Sequence, residues 1–200
     1  MLIRRVLASP FAYRTHMKLL GGRSIKAAIL RRHLNVAPQS NLLDVGCGPA
    51  PDRDLLGPVR WTGVDMEEHY VEYVRRHLRA NDRVILGDVS TIRTLLGETF
   101  EVVLLSGVLH HLDDDKASQL LSDCLDVLSD NGYILTIDPV RIPGKSRLER
   151  FLINMDRGEY IRSEKGYYDL VPSKFGSFES HVYPDLGWLP QTQHVAILKK

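Results

Sequence analysis

The 200-residue chain carries 26 basic and 25 acidic residues, a formal net charge of +1, and is 44% apolar. Charge so evenly matched creates no field that would gather nucleic acid or an anionic membrane, while the apolar fraction supplies one sizeable core. The two cysteines, Cys47 and Cys124, offer neither a disulfide framework nor a metal-binding spacing, which fits a reducing cytoplasm. Arg4-Arg5 resembles a twin-arginine start, but Pro10, Arg14, His16 and Lys18 interrupt the residues beyond it and no long apolar run appears, so no membrane segment is expected. No linker, repeat or block of like charge divides the chain, and a single domain over residues 1–200 is expected.

In chain order, residues 11–34 carry helical patterning, broken by Gly21-Gly22, with Ser24 as N-cap and Ile25, Ala28, Ile29 and Leu34 near one face. Leu42 to Val45 is an apolar strand running into Gly46-Cys47-Gly48-Pro49-Ala50-Pro51, a turn in which the backbone can approach a ligand closely. A dinucleotide fingerprint needs a third small residue where Pro51 stands. The Asp44 carboxylate, two residues before the first glycine, would repel a pyrophosphate and suits a cation. Asp52 to Leu56 is barely a helical turn before Gly57-Pro58, so the crossover is short. Trp61 to Asp65 reads as a second strand ending in an acid, at the spacing where a ribose-binding carboxylate follows a glycine loop. Asp65 is the expected ribose ligand; its alternative is an N-cap for a helix Glu67 to Arg79 buried through Tyr70, Val71, Val74 and Leu78.

Val84 to Leu86 is a short strand followed by Gly87-Asp88-Val89, and Val102 to Leu105 has the unbroken apolar character of a central parallel strand. After Ser106, Asp113 caps a helix whose stripe is Ala117, Leu120, Leu121, Cys124, Leu125 and Leu128, with Asn131-Gly132 stopping it. Tyr133 to Ile137 is the next strand. A helix comes next over Arg147 to Met155, through Leu148, Phe151, Leu152 and Met155, then a polar stretch Asp156 to Arg162 and a helix starting near Ser163. Ser177 to Tyr183 and Thr192 to Leu198 close the chain as two strands. Alternating strands and helices predict an α/β fold, a doubly wound, mostly parallel sheet with helices on both faces.

On Asp44, Gly46, Gly48, Asp65 and Asp88, in that order at successive strand ends, the sequence resembles the Rossmann-like (class I) S-adenosylmethionine-dependent methyltransferases of small-molecule type. It departs from their acidic-x-Gly-x-Gly-x-Gly motif at Ala50. The resemblance implies S-adenosyl-L-methionine as cofactor, S-adenosyl-L-homocysteine as product, and cofactor contacts from Asp44, Gly46, Cys47, Gly48, Asp65, Met66, Asp88, Val89 and Ser106. Asp88 would accept from the adenine amino group and Val89 would pack the ring. His110 and His111 stand where such enzymes place active-site residues, either as a general base, with His111 slightly favoured, or as packing. Residues 1–36 would form a helical lid with Tyr13 and Arg14 near substrate, residues 37–140 the cofactor core, residues 141–176 a substrate-side insertion, and residues 177–200 an antiparallel hairpin at the sheet edge. Asp156 to Arg162 is expected over the pocket mouth, where Arg157 and Arg162 would hold an acceptor's carboxylate or phosphate beside Tyr160; the alternative is a solvated surface pairing Arg157 with Asp156 or Glu149.

The acceptor class is reached by elimination. Ser106-Gly107-Val108-Leu109 stands where a DNA amino-methyltransferase carries Asp/Asn-Pro-Pro-aromatic, and neither cysteine is placed as a base C5-methyltransferase nucleophile. Asp130-Asn131 resembles a catechol-type metal pair but precedes a strand, so no metal is expected. A small molecule methylated at oxygen, nitrogen or carbon remains, with no nucleic acid or membrane partner. The competing readings are a non-catalytic cofactor-binding subunit and an NAD-dependent oxidoreductase.

Overall fold

The computed structural model describes residues 22–88, 94, 97–155, 158–184 and 190–200. Seven strands form one sheet: β1 (Asn41–Val45), β2 (Arg60–Asp65), β3 (Arg83–Leu86), β4 (Phe100–Ser106), β5 (Leu128–Pro139), β6 (Ser177–Tyr183) and β7 (Gln193–Lys199). Their order is β3-β2-β1-β4-β5-β7-β6. The first five pair in parallel, while β7 runs antiparallel to both β5 and β6. The terminal hairpin thus adds to the β5 edge as expected.

The central strands are apolar on both sides because both sides are covered. Leu43, Val45, Val103 and Leu105 enter one core with Leu120, Leu121 and Cys124 of a helix α3 (Asp114–Asp126). Leu42, Val102 and Leu104 enter the other, with Ile25, Ile29 and Leu30 of α1 (Gly22–His33) and Val71 and Val74 of α2 (Glu68–Arg75). Two further helices, α4 (Arg147–Met155) and α5 (Glu164–Asp169), lie between β5 and β6 in sequence. The crossover from β1 to β2 is only a 3-10 turn, Arg53–Leu55.

Four local expectations are corrected. Ser24 lies inside the first turn of α1 and is not its cap. Helix α2 ends at Arg75, and Leu78 is 36% exposed; the turn after it is pinned instead by Asp82, which accepts Nε and Nη2 of Arg53 at 2.8 and 2.7 Å. Helix α3 stops at Asp126, not at Asn131-Gly132, because Leu128 already pairs with Phe100 across a bulge. Gly132 lies in that bulge, where a Cβ would come within 2.9 Å of the Phe100 carbonyl. Helix α4 has the expected span, yet Leu148 and Phe151 are 51% and 59% exposed, while Glu149 is buried and accepts from Thr192 Oγ1.

The chain passes from β1 outward through β2 to β3, then returns to the other side of β1 as β4. That reversal opens a crevice at the carboxyl ends of β1 and β4, the place where ligands of open α/β sheets bind.

Candidate cofactor and active site

The loop leaving β1 is built on left-handed backbone: φ is 65° at Gly46, 52° at Gly48 and 46° at Ala50. Alanine therefore takes the conformation a third glycine would adopt with less strain. Gly46 and Cys47 both donate to the Val64 carbonyl, at 2.8 and 3.1 Å, which curls the loop against the end of β2. A Cβ at Gly46 would lie 2.9 Å from a Val108 methyl, so the β1 and β4 loops approach closely. Cys47 is buried, and burial pushes its thiol pKa well up, which makes it packing and not a nucleophile.

Asp65 ties the neighbouring loops together. Its Oδ2 accepts the Gly48 amide at 2.7 Å and its Oδ1 the Glu67 amide at 2.9 Å. Burial raises its pKa and these two amides oppose that rise. The carboxylate has further lone pairs beyond the two engaged here, so holding the loop leaves acceptor capacity. The helix-cap alternative is met only in part: Glu67 is the N-cap of α2 and makes no side-chain cap. Asp44 is buried beside it and accepts from Trp61 Nε1 at 3.1 Å. Burial lifts its pKa to about 7, an effect strengthened by Asp52 and Asp65 and opposed by Trp61 and Lys26.

Met66 is 64% exposed directly after Asp65, and Asp88 is exposed beyond the end of β3. The Ser106 hydroxyl is buried without a hydrogen-bond partner among the described residues. Val89 lies outside the described residues, as do Tyr13, Arg14 and Arg157.

Across the crevice, Leu109–His111 forms a 3-10 turn after β4. His110 is 5% exposed and its Nδ1 lies 2.7 Å from Oδ1 of Asp138, which is wholly buried and also accepts the His110 amide at 3.2 Å. The geometry gives the carboxylate partner to His110, whereas His111 is exposed with its ring centroid 4.1 Å from that of His110. Asp138 was not singled out as a site residue from the sequence. Its signal was there: an acid at the end of the last parallel strand, one residue after Ile137, which registers with Ser106.

The segment after α4 lies against this histidine. Tyr160 donates its amide to the His110 carbonyl at 2.9 Å, and a Cβ at Gly158 would fall 1.9 Å from His110 Cδ2. Tyr160 is 40% exposed. Arg162 is buried and donates Nε to Asp114 Oδ1 at 2.8 Å, Nη1 to the carbonyls of Leu109 and Tyr160 at 2.8 and 3.0 Å, and Nη2 to the Leu112 carbonyl at 2.7 Å, with Asp114 Oδ1 also 2.7 Å from Nη2. These contacts match the five N–H groups of a guanidinium. Arg162 is thus committed to holding the 109–114 turn, which corrects its expected role as a receptor for an acceptor's anion.

The family model described as a methyltransferase domain matches residues 42–132, the stretch from β1 into β5. Over that stretch the chain is similar to the methyltransferase-domain family, and its whole sheet has the Rossmann-like methyltransferase fold. Solved methyltransferases share its fold: human N-acetylserotonin methyltransferase, crystallised with S-adenosylmethionine, superposes with a TM-score of 0.69 at 19% identity over 95% of this chain and 54% of its own. A methyltransferase from Archaeoglobus fulgidus gives 0.70 at 18% identity over 94% of this chain and 99% of its own. The mitomycin 7-O-methyltransferase gives 0.67 at 19% over 97% and 60%. The chain therefore spans little more than half of the human enzyme and nearly all of the archaeal one. No curated protein matches the sequence. Among the described residues, no helix is long and apolar enough to cross a membrane.

Proposed function

We propose that this chain is an S-adenosylmethionine-dependent methyltransferase whose acceptor is a hydroxyl group of a small molecule. The observation that carries the reading is the Asp65 carboxylate, which ends β2 and accepts the Gly48 amide of the loop leaving β1, within the stretch similar to the methyltransferase-domain family. The residues present fit the cofactor's charge. Asp44, Asp52 and Asp65 are buried around the loop, with Lys26 paired to Asp52, an acid-rich cluster that suits a sulfonium and an ammonium and disfavours the pyrophosphate of a dinucleotide. Asp65 would hold the ribose hydroxyls, Asp88 and Val89 the adenine, Met66 and Ser106 the flanks of the nucleoside, and Gly46, Cys47 and Gly48 would offer backbone.

When bound, the cofactor supplies a methyl group already activated for displacement. The work left to the protein is to hold an acceptor oxygen in line with it and to take its proton. Asp138 fixes the His110 tautomer with Nδ1–H toward the carboxylate, which leaves Nε2 as the basic atom. Gly107 and Gly158 lie against the ring edge that carries Nε2, where a Cβ would fall 3.5 Å from His110 Cε1 and 1.9 Å from Cδ2, so neither position has room for a larger side chain beside the imidazole. Arg162 and the Tyr160 amide keep the His110 turn in place. Tyr160, Arg157, Tyr13 and Arg14 would line the acceptor side. Free, buried Cys47 and Cys124 accord with a cytoplasmic setting.

The test is calorimetry with S-adenosylhomocysteine and NAD, followed by transfer of a labelled methyl to small molecules of a cell extract. Binding of NAD alone returns the reading to a dehydrogenase. Cofactor binding with no labelled product, and a protein partner recovered instead, favours a non-catalytic subunit.

A further inference from the structure

Asp52 differs from the other two buried acids of the crevice. It is 5% exposed, its Oδ2 lies 2.8 Å from Lys26 Nζ, and its Oδ1 is buried with no hydrogen-bond partner among the described residues. A buried, unsatisfied carboxylate oxygen is costly and is kept where something other than the protein satisfies it. The position supports this. Asp52 heads the 3-10 turn that replaces a crossover helix, directly after the left-handed loop, and Lys26 reaches the same spot from α1. Arg23, one turn earlier on α1, donates to the Pro51 carbonyl at 3.4 Å, so this helix is seated on the loop. Asp52 and Lys26 both act on the ionisation of Asp44, in opposite senses, so the three side chains lie near one another beside the loop.

The geometry points to Asp52 and Lys26 as a clamp for the amino-acid end of the cofactor, with Asp52 Oδ1 accepting from the α-ammonium and Lys26 donating to the α-carboxylate. A zwitterion then lies against an ion pair of opposite sense, and the unsatisfied oxygen gains its donor. The clamp rests on the cofactor reading above and adds two residues to it.

Two ligands separate the clamp from that reading: S-adenosylhomocysteine, and 5′-methylthioadenosine, which keeps the nucleoside thioether and lacks the amino-acid end. By calorimetry, Asp52→Asn and Lys26→Ala should each weaken S-adenosylhomocysteine about tenfold or more and leave 5′-methylthioadenosine within about twofold of wild type. Unchanged S-adenosylhomocysteine affinity in both folded variants overturns the clamp, as does an equal loss for both ligands, which would mean a damaged loop. Wild-type protein that binds neither ligand removes the cofactor reading and the clamp with it. Should Asp52→Asn lose its cooperative thermal transition, Lys26→Ala decides the question alone.

Discussion

Asp138 and His110, 28 residues apart, meet twice: the Asp138 Oδ1 faces His110 Nδ1 at 2.7 Å and accepts its amide at 3.2 Å. The second contact fixes the backbone of the turn and the first fixes the ring. Asp138→Asn keeps the shape, removes the charge and allows the wrong tautomer. Expected is a fall in kcat of about 100-fold or more with little change in cofactor affinity. A kcat near wild type, with only a lowered melting temperature, would make the pair a structural clasp.

Replacement of Asp65 by alanine removes the acceptor of the Gly48 and Glu67 amides as well as the proposed ribose contacts. Cofactor binding should weaken by about 2 kcal/mol or more, and stability should fall by about 1 to 3 kcal/mol because two amides lose their partner. Calorimetry and thermal denaturation of Asp65→Ala report the two effects separately. Loss of stability alone, at unchanged affinity, would leave Asp65 as a loop tie.

The raised pKa of Asp44, about 7 against an unfolded value of 3.8, makes a prediction with a definite sign. Between those values the folded state holds a proton that the unfolded state has released, so this group's stabilising contribution is full below pH 4 and declines as pH rises toward 7. A cationic ligand favours the ionised carboxylate. Binding of S-adenosylmethionine below pH 7 should therefore release a proton and tighten as pH rises from 6 to 8. Titrations in buffers of different ionisation heat measure the release, and Asp44→Asn should abolish it.

Arg162→Ala leaves the carbonyls of Leu109, Leu112 and Tyr160 and the Asp114 carboxylate without their shared donor. A loss of about 1 to 3 kcal/mol of stability is expected, because the carbonyls lose their donor while Asp114, 81% exposed, is left to solvent. Activity should fall through kcat as the His110 turn loosens. A selective rise in the acceptor's KM at unchanged stability would restore Arg162 to a substrate-binding role.

Much of the scaffold is legible locally. Leu42 to Val45, Val102 to Leu105 and the α3 stripe declare themselves by periodicity, and Asp113 caps α3 by accepting the Lys116 amide at 2.9 Å, a contact within four residues. The Gly46 and Gly48 loop is likewise local, since its left-handed angles are a property of the residues that occupy it. Boundaries were less legible where a distant partner intervenes: Asp82 is held by Arg53, and Leu128 is recruited into β5 by Phe100.

Residue types and their spacing along the chain thus determined the strand succession, the glycine loop after β1 and the acids at the strand ends, because each depends on neighbours only a few residues away. Which histidine receives a carboxylate, that Arg162 spends its donors on carbonyls some 50 residues away, that Asp52 keeps an unsatisfied oxygen beside Lys26, and that α4 buries Glu149 while exposing Phe151 were decided only by tertiary structure. The reason is physical. A side chain's hydrogen-bonding capacity is assigned by whatever the fold brings within about 3 Å of it, and sequence spacing says nothing of partners that approach from another strand or helix.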